Sequence, residues 1–225
     1  MVGIITYNCP HKKTAEIINR CSEKIDLILI IPFEKRIQRN VKIHHRQYQF
    51  IGPTPQDIGN NHAIDVVPLE SLKFEDNKHI SELIIGGAGL LPESIVSNFR
   101  VINCHSGLIP TTRGLDSFKW AIYFKELMGV TIHKIDNNVD LGSPIHHSRT
   151  FVQENDDIKI LAERHYKNEI STLCEYISGS LKTNKIYNLE FNPSRRRMSI
   201  DLENLTLRKF QDYKKWAINE QKIFL

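Results

Sequence analysis

The strongest candidates for chemistry in this sequence are three polar residues, Asn103, His105 and Asp140. Asn103 and His105 stand at the end of one apolar run, and Asp140 follows a second apolar run. An amide N–H can stabilise the oxyanion that develops when an amine attacks a carbonyl group. An imidazole can accept the proton that the amine loses, and a nearby carboxylate can orient or polarise the imidazole. Together the three residues fit acyl or formyl transfer between nitrogen atoms.

Each of these residues also has a structural interpretation when it is taken alone. A histidine at a strand end is often structural, Asn103 could be a cap, and Asp140 lies in the turn-forming stretch DNNVDLG. Cys104 stands between Asn103 and His105, but on a strand its side chain would point to the opposite face. We therefore interpret Cys104 as a buried packing residue and not as a nucleophile.

The segments around these residues predict an α/β protein with a mostly parallel sheet. Residues 2–7 and 26–32 are apolar strands that enclose a helix over residues 14–25, and strands covered on both faces are continuously apolar. Further strands are predicted over residues 66–69, 82–85, 100–104 and 131–135, and further helices over residues 92–98, 117–127, 157–178 and 206–216. The first strand-to-helix turn, TYNCPHKKT, contains neither GxGxxG nor a P-loop. Residues 33–63 are polar and weakly periodic, which fits a mobile connection or short helices.

Ligands of parallel sheets gather where the strands end, so the sheet should bring the candidate residues together. Asn103 and His105 alternate along one strand and therefore share a face. The loop that carries Asp140 follows the next strand and could reach the same crevice. Glycines at residues 86–89 come directly after a buried strand, where they allow close approach of the backbone to a ligand or to a packed helix. Both interpretations of the glycines remain open.

Composition restricts the class of protein. A chain of 225 residues is long enough for one domain with a small appendage. The polar tail after the helix over residues 157–178 predicts a domain over residues 1–180 with a C-terminal extension over 181–225. No apolar run approaches a membrane span, and the start MVGIITYNC does not resemble a secretory signal, so we expect a cytoplasmic protein. The four cysteines have no CxxC spacing, which predicts reduced thiols and no metal site. A net charge of +4 suits a small anionic molecule better than nucleic acid.

The segment NCHSGLIPTTRG, followed by GVTIHKIDNNVDLGSPI, resembles the folate-dependent formyltransferases typified by the glycinamide ribonucleotide and methionyl-tRNA enzymes. The resemblance implies a Rossmann-like sheet flanked by helices, and a catalytic triad of Asn103, His105 and Asp140. It also implies 10-formyltetrahydrofolate as the formyl donor. The residues that would hold the folate are Ile85, Gly86, Gly87, Leu90, Leu91, Asp136 and Asn138.

For the formyl acceptor, three interpretations are open. The turn TYNCPHKKT departs from the phosphate loop of glycinamide ribonucleotide enzymes, whereas RGLDSFKWAI followed by GVTIHKID looks most like sugar N-formyltransferases. That likeness implies a dTDP- or UDP-linked deoxyamino sugar, a precursor for surface polysaccharide, as the acceptor. The substrate-binding residues would be Ser106, Arg113, Gly114 and Trp120. The alternatives are a phosphoribosylglycinamide formyltransferase-like purine enzyme and a noncatalytic binding module that keeps the folate fold.

Several basic residues and the last predicted helix have candidate roles in substrate binding or in assembly. Lys12, Lys13, Arg113 and the cluster at residues 195–197 are candidates for contacts with the diphosphate of a nucleotide sugar. Trp120 could stack on a base, although core packing also explains its helical spacing. The helix over residues 206–216 could serve as the contact of a homodimer or as a lid over the substrate.

Overall fold

The computed structural model describes residues 1–33, 40–136, 142–181 and 186–223. The strands are β1 Val2–Tyr7, β2 Ile25–Ile31, β3 Asp65–Pro68, β4 Glu82–Ile85, β5 Val101–His105, β6 Gly129–Lys134 and β7 Pro144–Arg149. The helices are α1 Lys12–Cys21, α2 Pro55–His62, α3 Glu93–Asn98, α4 Ser117–Phe124, α5 Ile158–Ser178 and α6 Ile200–Ile223. Every predicted strand and helix is present, and the end residues differ by a few positions except in α6.

The described strands form one seven-stranded sheet in the order β3-β2-β1-β4-β5-β6-β7. Strands β1 to β5 are parallel, with β1 at the centre between β2 and β4. Helices cover both faces of these strands, which is why β1 and β4 consist of apolar residues with few exceptions. The short strand β3 lies at the edge, where Pro68 does not interrupt a ladder of hydrogen bonds. The predicted Rossmann-like α/β class is confirmed.

Strand β6 runs in the opposite direction to β1–β5, which sequence patterns did not reveal. Strand β6 is antiparallel to β5, so that Lys134 at its end lies opposite Ile102 near the start of β5. The chain therefore leaves β6 beside the beginning of β5 and not at the edge where the parallel strands end. Strand β7, which was not predicted, pairs antiparallel with β6 and closes this side of the sheet.

Helix α5 is the longest element that packs directly on the sheet. Its start is fixed by Asp157, whose carboxylate accepts hydrogen bonds from the backbone N–H groups of Lys159 and Ile160 at 2.8 Å. It ends at Gly179, which adopts a positive φ of 72° that suits glycine. Leu173 and Ile170 on its inner face are buried in the same core cluster as the apolar residues of β5 and β6. The helix thus supports the strands that carry the candidate residues.

The C-terminal part of the chain packs onto the domain. Helix α6 is longer at both ends than the predicted span of 206–216. Phe210 of α6, Phe118 of α4 and Leu161 of α5 belong to one buried cluster. The division of the chain at residue 180 stays a prediction. No helix among the described residues has the length and apolar character that a membrane span requires.

Candidate active site

Asn103 and His105 share one face of β5, where both contact His133 of the neighbouring strand. The Nδ2 atom of Asn103 lies 3.3 Å from Nε2 of His133, its partner across the ladder. The ring of His105 meets the ring of His133 edge to face, with 6.3 Å between the centroids. Asn103 is half-buried, His105 is 7% exposed and His133 is fully buried. The structure therefore brings the amide and the imidazole predicted from the sequence to one place.

The hydrogen bonds of His105 define which ring nitrogen carries the proton. Its Nε2 atom lies 3.0 Å from the backbone oxygen of Thr112 and 3.0 Å from Oγ of Ser117. A carbonyl oxygen can only accept, so Nε2 must be the donor. The hydroxyl of Ser117 in turn donates to the backbone oxygen of Gly114 at 3.1 Å. In the neutral imidazole the basic nitrogen is therefore Nδ1.

Cys104 lies on the opposite face of β5, as its position between the two polar residues predicted. It is 1% exposed and belongs to the main core cluster. Burial raises the pKa of its thiol to about 12. The thiol is therefore protonated near neutral pH, which favours the packing interpretation over nucleophilic chemistry.

A buried polar network lies next to His105. The backbone oxygen of Ser106 lies 3.3 Å from Nε2 of His165, and Nδ1 of His165 lies 2.9 Å from Oγ1 of Thr150. Asn168 extends the network by donating to Thr150 at 3.0 Å. Burial lowers the pKa of His165 to about 4, so this ring is neutral near pH 7. The network fixes the backbone at Ser106, whose predicted role in substrate binding stays a prediction.

Asp140 and Asn138 lie outside the described residues, so their predicted roles stay predictions. Asp136, the last described residue before them, is exposed. Gly142, the first described residue after them, packs against His133: a Cβ atom at Gly142 would lie 3.3 Å from Nδ1 of that ring. The chain thus returns from this segment to the histidine that contacts Asn103.

The glycine turn, residues 86–89 after β4, contains two tightly packed glycines followed by an open one. The N–H groups of Gly86 and Gly87 both donate to the backbone oxygen of Ile5, at 2.9 and 3.1 Å. A Cβ atom at Gly87 would come within 2.8 Å of the His11 ring, whereas one at Gly89 would meet nothing within 4 Å. Packing therefore explains the first two glycines. Gly89 faces open space, where a ligand can approach the backbone.

The apolar residues that flank the glycine turn differ in exposure. Leu90 is 94% exposed, while Leu91 and Ile85 are half-buried. A leucine this exposed gains little from folding, so core packing does not account for its position. The predicted folate contacts of the described residues, which are Ile85, Gly86, Gly87, Leu90, Leu91 and Asp136, stay predictions. The described residues contain no group of three His, Cys, Asp or Glu side chains placed to hold a metal ion.

Arg113 and Gly114 contact the C-terminal segment of the chain. Arg113 is 4% exposed, and its Nε and Nη2 atoms donate to the backbone oxygen of Asn192 at 3.1 and 3.0 Å. Gly114 has a φ of 89° and forms a bridge with Arg195, where a Cβ atom would collide with the Arg195 backbone. These contacts assign both residues a structural task, and their predicted role in substrate binding stays a prediction.

Trp120 is half-buried and also binds the C-terminal segment. Its indole Nε1 donates to the backbone oxygen of Arg196 at 2.9 Å. Its ring stacks on Phe124 with 5.7 Å between the centroids, and Phe124 is 51% exposed. Stacking of Trp120 on a nucleobase stays a prediction.

Sequence patterns missed three residues that position the candidate pair. His133 contacts Asn103, and Ser117 contacts Nε2 of His105. Thr131 fixes the turn after β5, because its hydroxyl donates to the backbone oxygen of Gly107 at 2.7 Å. The alternation of Thr131 and His133 on a predicted strand could have indicated a second polar face. No local pattern connects Ser117 with the histidine twelve residues before it.

Comparison with known proteins agrees with the predicted fold and with the resemblance to formyltransferases. The family model described as "Formyl transferase" matches residues 83–177, which include β5, β6 and α5. A methionyl-tRNA formyltransferase of Prochlorococcus marinus is 24% identical over 215 residues, and the match covers 90% of this chain and 58% of that protein. The chain therefore spans less than two thirds of the length of this relative.

Two solved structures have the same fold at low sequence identity. A 4-N formyltransferase from Francisella tularensis aligns with a TM-score of 0.58 at 17% identity, over 93% of this chain and 87% of that chain. A phosphoribosylglycinamide formyltransferase from Campylobacter jejuni aligns with a TM-score of 0.58 at 15% identity, over 80% of this chain and 98% of that chain. At these identities the structural likeness shows the fold alone.

The fold and the matching family model point to the same class of protein for the matched region. Residues 83–177 match the formyl transferase family model, which supports the resemblance predicted from NCHSGLIPTTRG.

Proposed function

We propose that this protein transfers a formyl group from 10-formyltetrahydrofolate to the amino group of a dTDP- or UDP-linked deoxyamino sugar. The observation that carries the proposal is the placement of Asn103 and His105 on one face of β5, within the formyl transferase domain. The exposed Leu90 and the open backbone at Gly89 leave this segment accessible to a folate.

The folate would supply a formyl carbon on N10, which the sugar amine attacks. Asn103 has two N–H donors on its amide, and one of them is within reach of His133. The other is available to stabilise the oxyanion that forms when the new carbon–nitrogen bond is made. His105 would accept the amine proton at Nδ1 and return a proton to N10 as the old bond breaks. Asp140 would orient or polarise His105.

The deoxyamino sugar is favoured over other acceptors by two features. The alignment with a sugar N-formyltransferase from Shewanella sp. extends over 93% of this chain, against 80% for the Campylobacter jejuni enzyme. The stretch RGLDSFKWAI, which carries the resemblance to sugar enzymes, forms the loop and helix that contact His105 through Ser117.

The burial of Lys13 and Arg113 argues against these two candidates as diphosphate contacts. Lys13 is buried against Glu169, with 2.8 Å between Nζ and the nearest carboxylate oxygen. Arg113 is buried as well, and its described hydrogen bonds go to the protein backbone. Arg196 and Arg197 are exposed. We therefore propose these two arginines as the diphosphate contacts.

A phosphoribosylglycinamide formyltransferase-like activity is the second candidate. The observation that favours it is the Campylobacter jejuni alignment, which includes 98% of the residues of that chain. The turn after β1 argues for the sugar acceptor, because its sequence TYNCPHKKT departs from the phosphate loop of glycinamide ribonucleotide enzymes. In this turn the His11 ring lies within hydrogen-bond distance of the side chains of Thr14 and Gln49. The homodimer and the cytoplasmic location remain predictions.

A panel of acceptors tests the proposal. The protein would be incubated with 10-formyltetrahydrofolate and with dTDP- and UDP-linked deoxyamino sugars, and in parallel with glycinamide ribonucleotide, and the products identified by mass spectrometry. We expect a formylated nucleotide sugar, and the Arg196→Ala/Arg197→Ala double variant should raise KM for it. Formylation of glycinamide ribonucleotide without sugar turnover would replace the first function by the second.

A further inference from the structure

A short loop holds the candidate histidine by one nitrogen. Residues 111–117, named here the histidine loop, supply both groups that bind Nε2 of His105, the backbone oxygen of Thr112 and the hydroxyl of Ser117. Thr112 and Ser117 are each 1% exposed. Water therefore has no access to these groups, and the position of the loop decides how the imidazole is oriented.

The histidine loop is in turn held by residues 190–198, named here the clamp segment. Two backbone hydrogen bonds form a bridge: Arg195 N donates to Arg113 O at 3.0 Å, and Leu115 N donates to Arg195 O at 2.9 Å. Asn192 N donates to the backbone oxygen of Pro110 at 3.2 Å, just before the loop. The two stretches are far apart in sequence and run side by side.

One buried carboxylate joins the clamp segment to the groups at His105. Glu126 binds the guanidinium of Arg195, with 2.6 Å between Oε2 and Nη1, and both side chains are nearly buried. The same carboxylate accepts from the hydroxyl of Thr112 at 3.1 Å and from Nδ2 of Asn192 at 3.1 Å. Thr112 is thus tied to Arg195 by its side chain and to His105 by its carbonyl group.

The far end of the clamp segment holds the start of helix α4. Met198 N donates to Oδ2 of Asp116 at 3.1 Å, and Trp120 donates to the backbone oxygen of Arg196 at 2.9 Å. Asp116 has a φ of 57°, a conformation that few residues other than glycine adopt without support. Ser117 follows directly, so these contacts fix the hydroxyl that binds His105.

We propose that the clamp segment is a positioning element that keeps His105 in the tautomer with Nε2 protonated and Nδ1 basic. A shift of the loop would remove the acceptors of the Nε2 proton, and the two tautomers of a neutral imidazole would then both be populated. The consequence for catalysis rests on the proposed function of His105. The tautomer itself is a property of the protein without substrate.

Nuclear magnetic resonance of 15N-labelled histidine tests the proposal without any substrate. The chain has 10 histidines, and His105→Gln identifies the signals of His105. In the unaltered protein we expect a protonated Nε2 and an unprotonated Nδ1. In Arg195→Ala we expect signals averaged between the two tautomers, and in the matched control Arg196→Ala, which removes an exposed guanidinium from the same segment, the unaltered pattern.

A protonated Nδ1 in the unaltered protein would overturn the proposal, as would an unchanged His105 pattern in folded Arg195→Ala. If circular dichroism shows that Arg195→Ala does not fold, Ser117→Ala replaces it. This variant removes one of the two acceptors, and we expect its Nε2 proton to exchange with water at least several-fold faster. Ser171→Ala, whose hydroxyl contacts Arg20 instead, is the control. Equal exchange rates in Ser117→Ala and the unaltered protein would also overturn the proposal.

The activity readout separates this proposal from the proposed function. With an accepted substrate, Arg195→Ala should lower kcat several-fold and shift the pH profile of kcat, while KM changes little. If no acceptor is formylated but the spectra follow the expectation, the proposed function fails and the positioning of His105 stands. If formylation occurs and the spectra of the variants do not change, the positioning fails alone.

Discussion

Replacing Glu169 by glutamine should lower the free energy of unfolding more than neutralising any other charged side chain of helix α5. Glu169 is 1% exposed and accepts from Lys13 Nζ at 2.8 Å and from Arg46 Nη2 at 2.9 Å. The Lys13 side chain is only 5% exposed. Glu169→Gln keeps the shape of the side chain but leaves these cations without their counter-ion.

The size of the effect follows from the carboxylate pKa. Burial alone would raise the pKa of Glu169, but the charges of Arg46 and Lys13 outweigh it and lower the pKa from 4.5 to about 2. Each pH unit of that difference corresponds to ~1.4 kcal/mol, so the ionised carboxylate contributes about 3 kcal/mol to the free energy of unfolding. Breaking one side of a buried ion pair costs a similar ~3–5 kcal/mol.

The sign of the pH dependence provides a second test of the same residue. Because the folded-state pKa is depressed, the stabilisation is complete above pH 4.5 and is lost as the pH falls towards 2. The Glu169→Gln variant should have a lower free energy of unfolding than the unaltered protein at pH 7. It should also lack the loss of stability that protonation of Glu169 causes between pH 4.5 and about 2. Urea denaturation followed by circular dichroism, at a series of pH values, measures both.

A matched control lies on the same helix. Glu163 pairs with Lys167 at 2.8 Å, but these two side chains are 59% and 66% exposed. Glu163→Gln should leave the denaturation midpoint nearly unchanged, since exposed pairs are screened by water. Equal midpoints for Glu169→Gln and Glu163→Gln would refute the reasoning.

Further predictions concern the folate side of the site. Gly87→Ala should destabilise the protein and weaken folate binding, because its Cβ would meet a buried ring, whereas Gly89→Ala should leave stability unchanged. Thermal unfolding and folate titration of the two variants measure these effects. Equal Tm values for the two variants would contradict the packing of the turn. Leu90→Ser should raise KM for the folate several-fold without lowering Tm, because a side chain that is 94% exposed contributes little to folding. An unchanged KM would remove Leu90 from the folate site.

The parallel half of the fold could be predicted because its physical causes are local. The apolar runs of β1 and β2 and the helical spacing between them are visible in the sequence. Alternation along β5 placed Asn103 and His105 on one face, where the structure has them. A buried cysteine between the two followed from the same alternation.

The parts of the fold and of the site that could not be predicted depend on contacts between distant parts of the chain. Strand β7 has the sequence PIHHSR, whose proline and polar residues do not form a strand pattern, and pairing with β6 supplies its stability. The direction of β6 is set by that pairing as well. Arg113 resembled a ligand-binding arginine in the sequence, but its partner Asn192 is 79 residues away and could not be inferred from local spacing.

Formyl transfer by the His105→Ala variant is the most direct measurement of the central claim. The donor would be 10-formyltetrahydrofolate labelled in the formyl carbon, and the acceptor would be the nucleotide-linked amino sugar that the acceptor panel identifies. Single-turnover reactions would measure how fast the label appears in the product. We expect labelled sugar from the unaltered protein and from the control His44→Ala, whose side chain is exposed, and a rate lower by about 100-fold or more in His105→Ala. Equal rates in His105→Ala and the unaltered protein would contradict the account.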